Sequence, residues 1–335
     1  MQIIVLDGPD AVGKTTLANK IIEMYPNTKY LHLTYRFKDK IFDYHTAAIR
    51  LASKWAKTHN VIIDRWWPTE ACYATVYRGS SDWPLQGRFH DRLALKFGAV
   101  YVMCLPDHTT LKRFERMKQE RDEMYESIDE LCKVYSKLFH GDHSHKDGGN
   151  YIDQLIITGG LKNVPHYFPY TIEAWGHNME YFIEGLMRNA ERYREAQWPE
   201  ALSPDEDNIL GHRGLAKYMF VGEQVNPKYA RSHWPFFDYG NCSLYLTEAL
   251  HQMFIPEHEI AYTNVLDKNG NDDLRFVQKG FNEGLFIIAM GKKAQSKLKE
   301  YHMNPDCEIN HPQWYKRFNG KGPGKLVEDL KGALL

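Results

Sequence analysis

The sequence predicts an α/β fold, a parallel sheet covered by helices on both faces, followed by a second and smaller α/β domain. Three observations carry this expectation. An apolar strand at residues 3–6 runs into a glycine loop and then a helix. Buried-strand patterns then alternate with amphipathic helical ones, the signature of parallel strands joined by crossover helices. Past a stretch rich in proline and acids, a new series of short strands begins, each ending in a polar loop. The length of 335 residues agrees, because single cores rarely grow beyond about 250–300 residues.

The first strand leads into "GPDAVGKTT", spanning Gly8, Pro9, Asp10, Ala11, Val12, Gly13, Lys14, Thr15 and Thr16. The spacing of Gly8, Gly13, Lys14 and Thr15 is that of a phosphate-binding loop. Glycines let backbone N–H groups curl around a phosphate chain, the lysine brings a point charge to the β and γ phosphates, and the Thr15 hydroxyl reaches Mg²⁺. ATP with Mg²⁺ is therefore the expected cofactor. The helical period of Leu17, Ile21 and Ile22 after the loop supplies the context this motif requires.

Two further buried strands follow, "VII" at 61–63, delivering Asp64 and Arg65, and 99–105. Ligands of parallel sheets bind outside the carboxyl ends of the strands, so Asp64 and Arg65 point at the phosphate site; a structural ion pair is the alternative. Arg113, Arg116, Lys118 and Arg121 share one predicted helix and its end. Arginines there can close over a migrating phosphoryl group, or simply form a solvated face. His140, His143 and His145 sit among Gly, Asp and Ser and read as a solvated loop, with no protein-bound transition metal expected.

The loop with Asp10, the Asp64–Arg65 pair and the arginine-rich stretch together resemble the thymidylate kinase family of nucleoside monophosphate kinases, over residues 1–195. The resemblance implies that Asp64 and Arg65 orient the phosphate acceptor, that Asp10 lies beside it, and that Arg116 and Arg121 belong to a catalytic lid. Thymidylate kinases are commonly dimers, which makes a homodimer one expectation. "RWWPTEACYATVYRG" departs from the family in placing two tryptophans and a proline around the acceptor position, and "HGDHSHKDGGNYIDQ" has no clear family counterpart.

Residues 196–213 read as a linker. Beyond it, over 214–335, come a strand ending in "VGEQVNP", a strand ending at Asn264, a strand turning at Gly291 into a helix, and a short strand ending in His311 and Pro312. Gly222, Glu223 and Pro227, then Thr263 and Asn264, then Met290, Gly291 and Ala294, then His311 and Pro312, resemble in their order the uracil-DNA glycosylase superfamily. That resemblance implies base flipping and readout of a pyrimidine edge. Glu223 and Asn226 would lie at the water-activating loop, Asn264 at the base edge, and His311 near the charge on a leaving pyrimidine. The first loop lacks the usual Pro-Gly pair and "HPQ" replaces His-Pro-Ser, which favours base recognition without cleavage.

Bulk properties exclude little. Net charge is -1, hydrophobic content 43% and charged content 25%, ordinary for a globular chain. Five scattered cysteines without a CxxC pair argue for a reducing compartment and against disulfides or a zinc ribbon. No apolar run approaches the roughly 18 residues of a membrane span, so a cytoplasmic location, in an infected bacterial host cell, is the expectation. The leading function is phosphorylation of 5-hydroxymethyluracil in DNA during thymine hypermodification of a phage genome, by resemblance to phage kinases of that type. A kinase of free deoxynucleoside monophosphates is the alternative. A glycosylase or base-recognition protein with a regulatory kinase domain is the third reading.

Overall fold

In the computed structural model, the described residues are 1–34, 40–78, 85–120, 127–145, 151–203, 205–226, 228, 233–238, 242–319 and 322–334, with the side chains of 109 and 116–120 outside the description. They form two compact units, Met1–His90 with Gly98–Glu195, and Asp91–Phe97 with Ala196–Leu335.

The first unit runs β1 (Ile3–Asp7), α1 (Lys14–Met24), β2 (Thr28–His32), α2 (Ile41–Trp55), β3 (Asn60–Asp64), α3 (Trp67–Arg78), α4 (Gln86–Lys96), β4 (Ala99–Cys104), α5 (His108–Glu120), α6 (Ile128–His140), α7 (Tyr151–Ile157), β5 (Tyr167–Tyr170), α8 (Ile172–Trp175) and α9 (Met179–Glu195). The second half of α4, from Asp91 on, belongs to the second unit. All five strands are parallel, in the order β2-β3-β1-β4-β5. β1, β3 and β4 are buried along their whole length, which is why they read as unbroken apolar runs. Ile4, Leu6, Ile62, Val100 and Val102 pack on one face against Leu17 and Ile21 of α1 and Ile183 and Leu186 of α9. The alternate set, with Val5, Ile63 and Tyr101, is equally buried, and α2 packs on that side of β3. Leu6 pairs with Asp64 and Asp7 with Met103, so the carboxyl ends of the three central strands are level.

The second unit continues β6 (Ile209–Leu210), β7 (Tyr218–Gly222), α10 (Cys242–Gln252), β8 (Ile260–Asn264), α11 (Arg275–Asn282), β9 (Phe286–Met290), α12 (Lys292–Glu300), β10 (Cys307–Ile309), α13 (Pro312–Phe318) and α14 (Gly324–Leu334). Its sheet has the order β10-β9-β7-β8-β6, with β6 antiparallel to β8 and the other four strands parallel. Met219, Val221, Ile287 and Ala289 pack against Phe276 of α11 and Leu298 of α12.

The stretch 196–213, expected as a linker, is instead folded into this core. Trp198, Ala201 and Ile209 are buried with Met219 and Val221, and Asn208 Nδ2 donates to Asn264 O at 3.0 Å. Its apolar residues are too sparse to show a period, yet each finds a place in the core. A segment from far earlier in the chain joins it there. Arg92, 1% exposed, donates through Nε and Nη2 to the Glu257 carboxylate at 2.8 and 3.0 Å, and through Nη1 to Phe236 O at 2.7 Å.

Candidate active site

The phosphate-binding loop is built by close approach of backbone. Gly8 has φ +145°, and a Cβ there would lie 2.1 Å from Cys104 O of β4. Gly13, at φ +89°, opens α1 in the left-handed region that glycine enters without a steric penalty. Between them the loop folds around Lys14, whose Nζ donates to Gly8 O at 2.9 Å and to Pro9 O. Lys14 is buried, and burial together with the nearby Arg65 charge lowers its pKa, with Asp10 opposing. Thr15 and Thr16 are exposed at the start of α1.

Asp64 and Arg65 arrive where the strand pattern places them, and Arg65 is brought onto the loop. Its Nη2 pairs with Asp10 Oδ1, its guanidinium lies 5.7 Å from the Tyr73 ring centre, and Tyr73 OH donates to Asp10 Oδ2 at 3.0 Å. Burial alone would raise the Asp10 pKa, but the Arg65 and Lys14 charges outweigh it and hold the carboxyl below its ordinary range. Arg65 adopts φ +74°, a left-handed conformation uncommon for a side chain of this size and costly unless surrounding contacts enforce it. Asp64, 1% exposed, accepts from Tyr30 OH and meets His32 Nδ1 at 2.9 Å through Oδ2. Its Oδ1 is buried without a partner, which leaves a carboxylate oxygen for a ligand.

Sequence reasoning missed Asp7. It ends β1, accepts from Trp66 N at 2.9 Å, Thr69 N at 3.3 Å, Thr69 Oγ1 at 2.9 Å and Tyr135 OH at 3.2 Å, and so ties the loop strand to the segment after Arg65. Burial pushes its carboxyl up to about 6 against these donors. The available signal was an acid closing a fully apolar strand directly before the loop.

A cavity of about 360 Å³ opens beside Arg65, lined among others by His45, Trp66, Tyr44, Tyr73 and Tyr77. That volume lies within the usual range for small ligands, about 300–1,000 Å³. Trp66 is buried and stacks on His45 with ring centres 5.0 Å apart. The second tryptophan of the pair points elsewhere, Trp67 lying against Tyr151 at 5.3 Å. His45 and His90 are buried, and burial depresses both imidazoles, His90 to about 3, so this wall is neutral. Of the lid arginines, Arg113 is exposed on α5; Arg116 lies on α5 with its side chain outside the description, and Arg121 lies outside the described residues. His143 Nδ1 contacts Ile157 O and His145 Nε2 contacts Asp153 Oδ1, each at 2.9 Å. No group of three His, Cys, Asp or Glu suited to a metal occurs among the described residues.

In the second unit, Glu223, Asn226, Asn264 and His311 line one cavity of about 890 Å³. Asn264, 2% exposed, ends β8 with its Nδ2 buried and without a partner. Gly222 makes room for it, since a Cβ there would lie 2.5 Å from Asn264 Oδ1 and 2.9 Å from the Phe236 ring. Gly291 does the same for His311, whose Cβ would be 2.9 Å from an added methyl. His311 Nδ1 accepts from Gln313 N at 3.2 Å, and burial lowers its pKa, with Glu223 opposing. Glu223 is held by Lys293 Nζ at 2.6 Å, and Asn226 Oδ1 takes Lys228 N at 3.1 Å. Thr263 turns away, its hydroxyl donating to Asn208 O at 2.6 Å; Pro227 lies outside the described residues. Phe236 went unnoticed in the sequence. It lines the cavity, holds φ +52°, and lies 6.3 Å from His311 ring to ring.

No protein-family model and no curated protein matches the chain. Among solved structures it is similar to the YorR protein of Bacillus subtilis in complex with phosphorylated GDP, at 18% identity and TM-score 0.40, over 58% of this chain and 99% of that one. It is also similar to APE1195, at 10% identity and TM-score 0.33, over 56% and 96%. A third similarity is to a chain assigned as polyphosphate kinase 2 from Pseudomonas aeruginosa PA01, at 11% identity and TM-score 0.35, over 99% and 81%. Likenesses this distant say nothing about what the chain binds or does. The class rests on its own architecture: an α/β unit with a five-stranded parallel sheet and a phosphate-binding loop at the end of the central strand.

Proposed function

We propose that the chain is an ATP-dependent kinase whose acceptor is the hydroxymethyl group of 5-hydroxymethyluracil in DNA. The observation that carries the kinase reading is Arg65. It pairs with Asp10 of the phosphate-binding loop and also lines the aromatic cavity, so donor and acceptor meet at one residue. In the reaction the acceptor oxygen bonds to the γ-phosphorus, the bond from that phosphorus to the leaving ADP oxygen breaks, and the hydroxyl proton passes to a carboxylate. Asp64 Oδ1, buried and unpartnered, is the group for that proton. Arg65 and Lys14 offset the charge that spreads over the migrating phosphoryl oxygens. Mg²⁺, held by Thr15 at the start of α1 together with the nucleotide, would neutralise the same charge. The Trp66–His45 wall would stack the base.

Support for DNA as the acceptor comes from the second unit. The strand order there puts Glu223, Asn264 and His311 around one cavity, with Phe236 beside an unsatisfied amide, an arrangement fit to hold a planar base by its face and its polar edge. The Glu223–Lys293 pair occupies the acid that excision would use, which supports recognition rather than cleavage. The size of the cavity beside Arg65 favours one alternative, a free deoxynucleoside monophosphate with its phosphate on Arg65.

Competition separates the two. With γ-labelled ATP, hydroxymethyluracil in a DNA duplex and free hydroxymethyl-dUMP are offered together, and the label is expected in the duplex. Label confined to the mononucleotide would sink the DNA reading; abasic sites without label would favour a glycosylase.

A further inference from the structure

The cavity of the second unit is roomier than a plain pyrimidine requires, and its charges are unevenly disposed. At about 890 Å³ it sits near the upper end of small-ligand cavities, roughly 300–1,000 Å³. One part of the lining suits a flat ring with a carbonyl edge: the Phe236 face and the Asn264 amide, whose buried Nδ2 donors have no partner. His311 adds a donor, because a neutral imidazole that accepts at Nδ1 carries its proton on Nε2. Another part is cationic. Lys316 and Arg317, both exposed on α13, line the same cavity, and neither forms an ion pair among the described residues. The acid on the opposite loop, Glu223, is already held by Lys293. Asp238 also lines the cavity, and Lys316 feels the Glu248 charge without forming an ion pair; a neutral pyrimidine would leave both exposed cations unbonded, whereas phosphoryl oxygens would take them.

We infer that this cavity binds a pyrimidine base that carries a phosphoryl group, its ring on Phe236 and Asn264 and its phosphoryl oxygens on Lys316 and Arg317. The inference rests on the kinase reading in one respect, that such a base is what the proposed transfer yields. The second unit would then hold the modified base after transfer rather than select it before. A free nucleotide presents the same chemistry from another source.

The test is binding to the full chain without ATP, by fluorescence anisotropy, with oligonucleotides that differ at one position: thymine, 5-hydroxymethyluracil or 5-phosphomethyluracil. The phosphomethyl oligonucleotide is expected to bind at least about tenfold more tightly than the other two, the scale of a charge-assisted contact. The double variant Lys316→Ser with Arg317→Ser, at exposed positions that leave the core intact, should reduce that preference to about twofold or less. Asn264→Ala should weaken all three oligonucleotides. If free 5-phosphomethyldeoxyuridine competes as well as the oligonucleotide, the chemistry stands and its source is a free nucleotide. Equal binding of the three oligonucleotides, or a preference that survives the double variant, overturns the inference. A preference without label transfer to DNA would instead remove the kinase reading and leave this site standing.

Discussion

Lys14 and Asp7 sit at opposite ends of one glycine loop, and both are buried, but only Lys14 announces itself in the sequence. Its spacing from Gly8 and Gly13 is a local backbone requirement, so it can be read without knowing the fold. Replacing it tests the donor site: Lys14→Ala should lower phosphoryl transfer by about a thousandfold or more while circular dichroism stays at the wild-type level. Activity within tenfold of wild type would remove Lys14 from the chemistry. Asp7 depends on Thr69 and Tyr135, far along the chain, and no local pattern reveals that. Its carboxyl is raised from an ordinary 3.8 to about 6 in the fold, so the folded state holds its proton more tightly than the unfolded one. The resulting stability is fully present below about pH 3.8 and is lost as pH rises through about 6. Compared with Asp7→Asn, the wild type should therefore lose up to about 3 kcal/mol between roughly pH 4 and 6. Urea midpoints of both proteins across that window give the difference, and a flat one contradicts the assignment.

Elements were legible where burial on both faces made strands uniformly apolar, as in β1, β3, β4 and β7. They were illegible where a single backbone conformation does the positioning. Arg65 at φ +74° and Phe236 at φ +52° turn their side chains toward the two cavities, and nothing in residue type marks either position. The loop element makes a sharper prediction. Gly8→Ala would drive a methyl into Cys104 O, 2.1 Å away on neighbouring β4, where backbone cannot yield cheaply. It should cost stability by about 1–3 kcal/mol and abolish ATP binding by calorimetry. Retained ATP affinity would mean that the loop is looser than its geometry.

At the scale of the molecule, the division into two units was visible but its seams were not. The Pro- and acid-rich stretch before β7 carries Trp198, Ala201 and Ile209 into the second core, because a few well-placed apolar residues suffice where no period is needed. Residues 91–97 belong to that unit as well, through contacts that span more than a hundred residues of sequence. Arg92 and Glu257, each 1% exposed, make this testable. Glu257→Ala leaves a buried guanidinium without its carboxylate, which should cost about 3–5 kcal/mol in denaturant titration; a loss below about 1 kcal/mol would show that the pair is dispensable. The central claim is that the loop around Lys14 sends phosphate to an alcohol on a base within DNA. The most direct measurement is a single turnover of γ-labelled ATP on a duplex with one 5-hydroxymethyluracil, followed by digestion to nucleosides. The account predicts label on the 5-substituted nucleoside. Intact, unlabelled hydroxymethyldeoxyuridine, with ATP consumed only when free nucleotides are supplied, would contradict it.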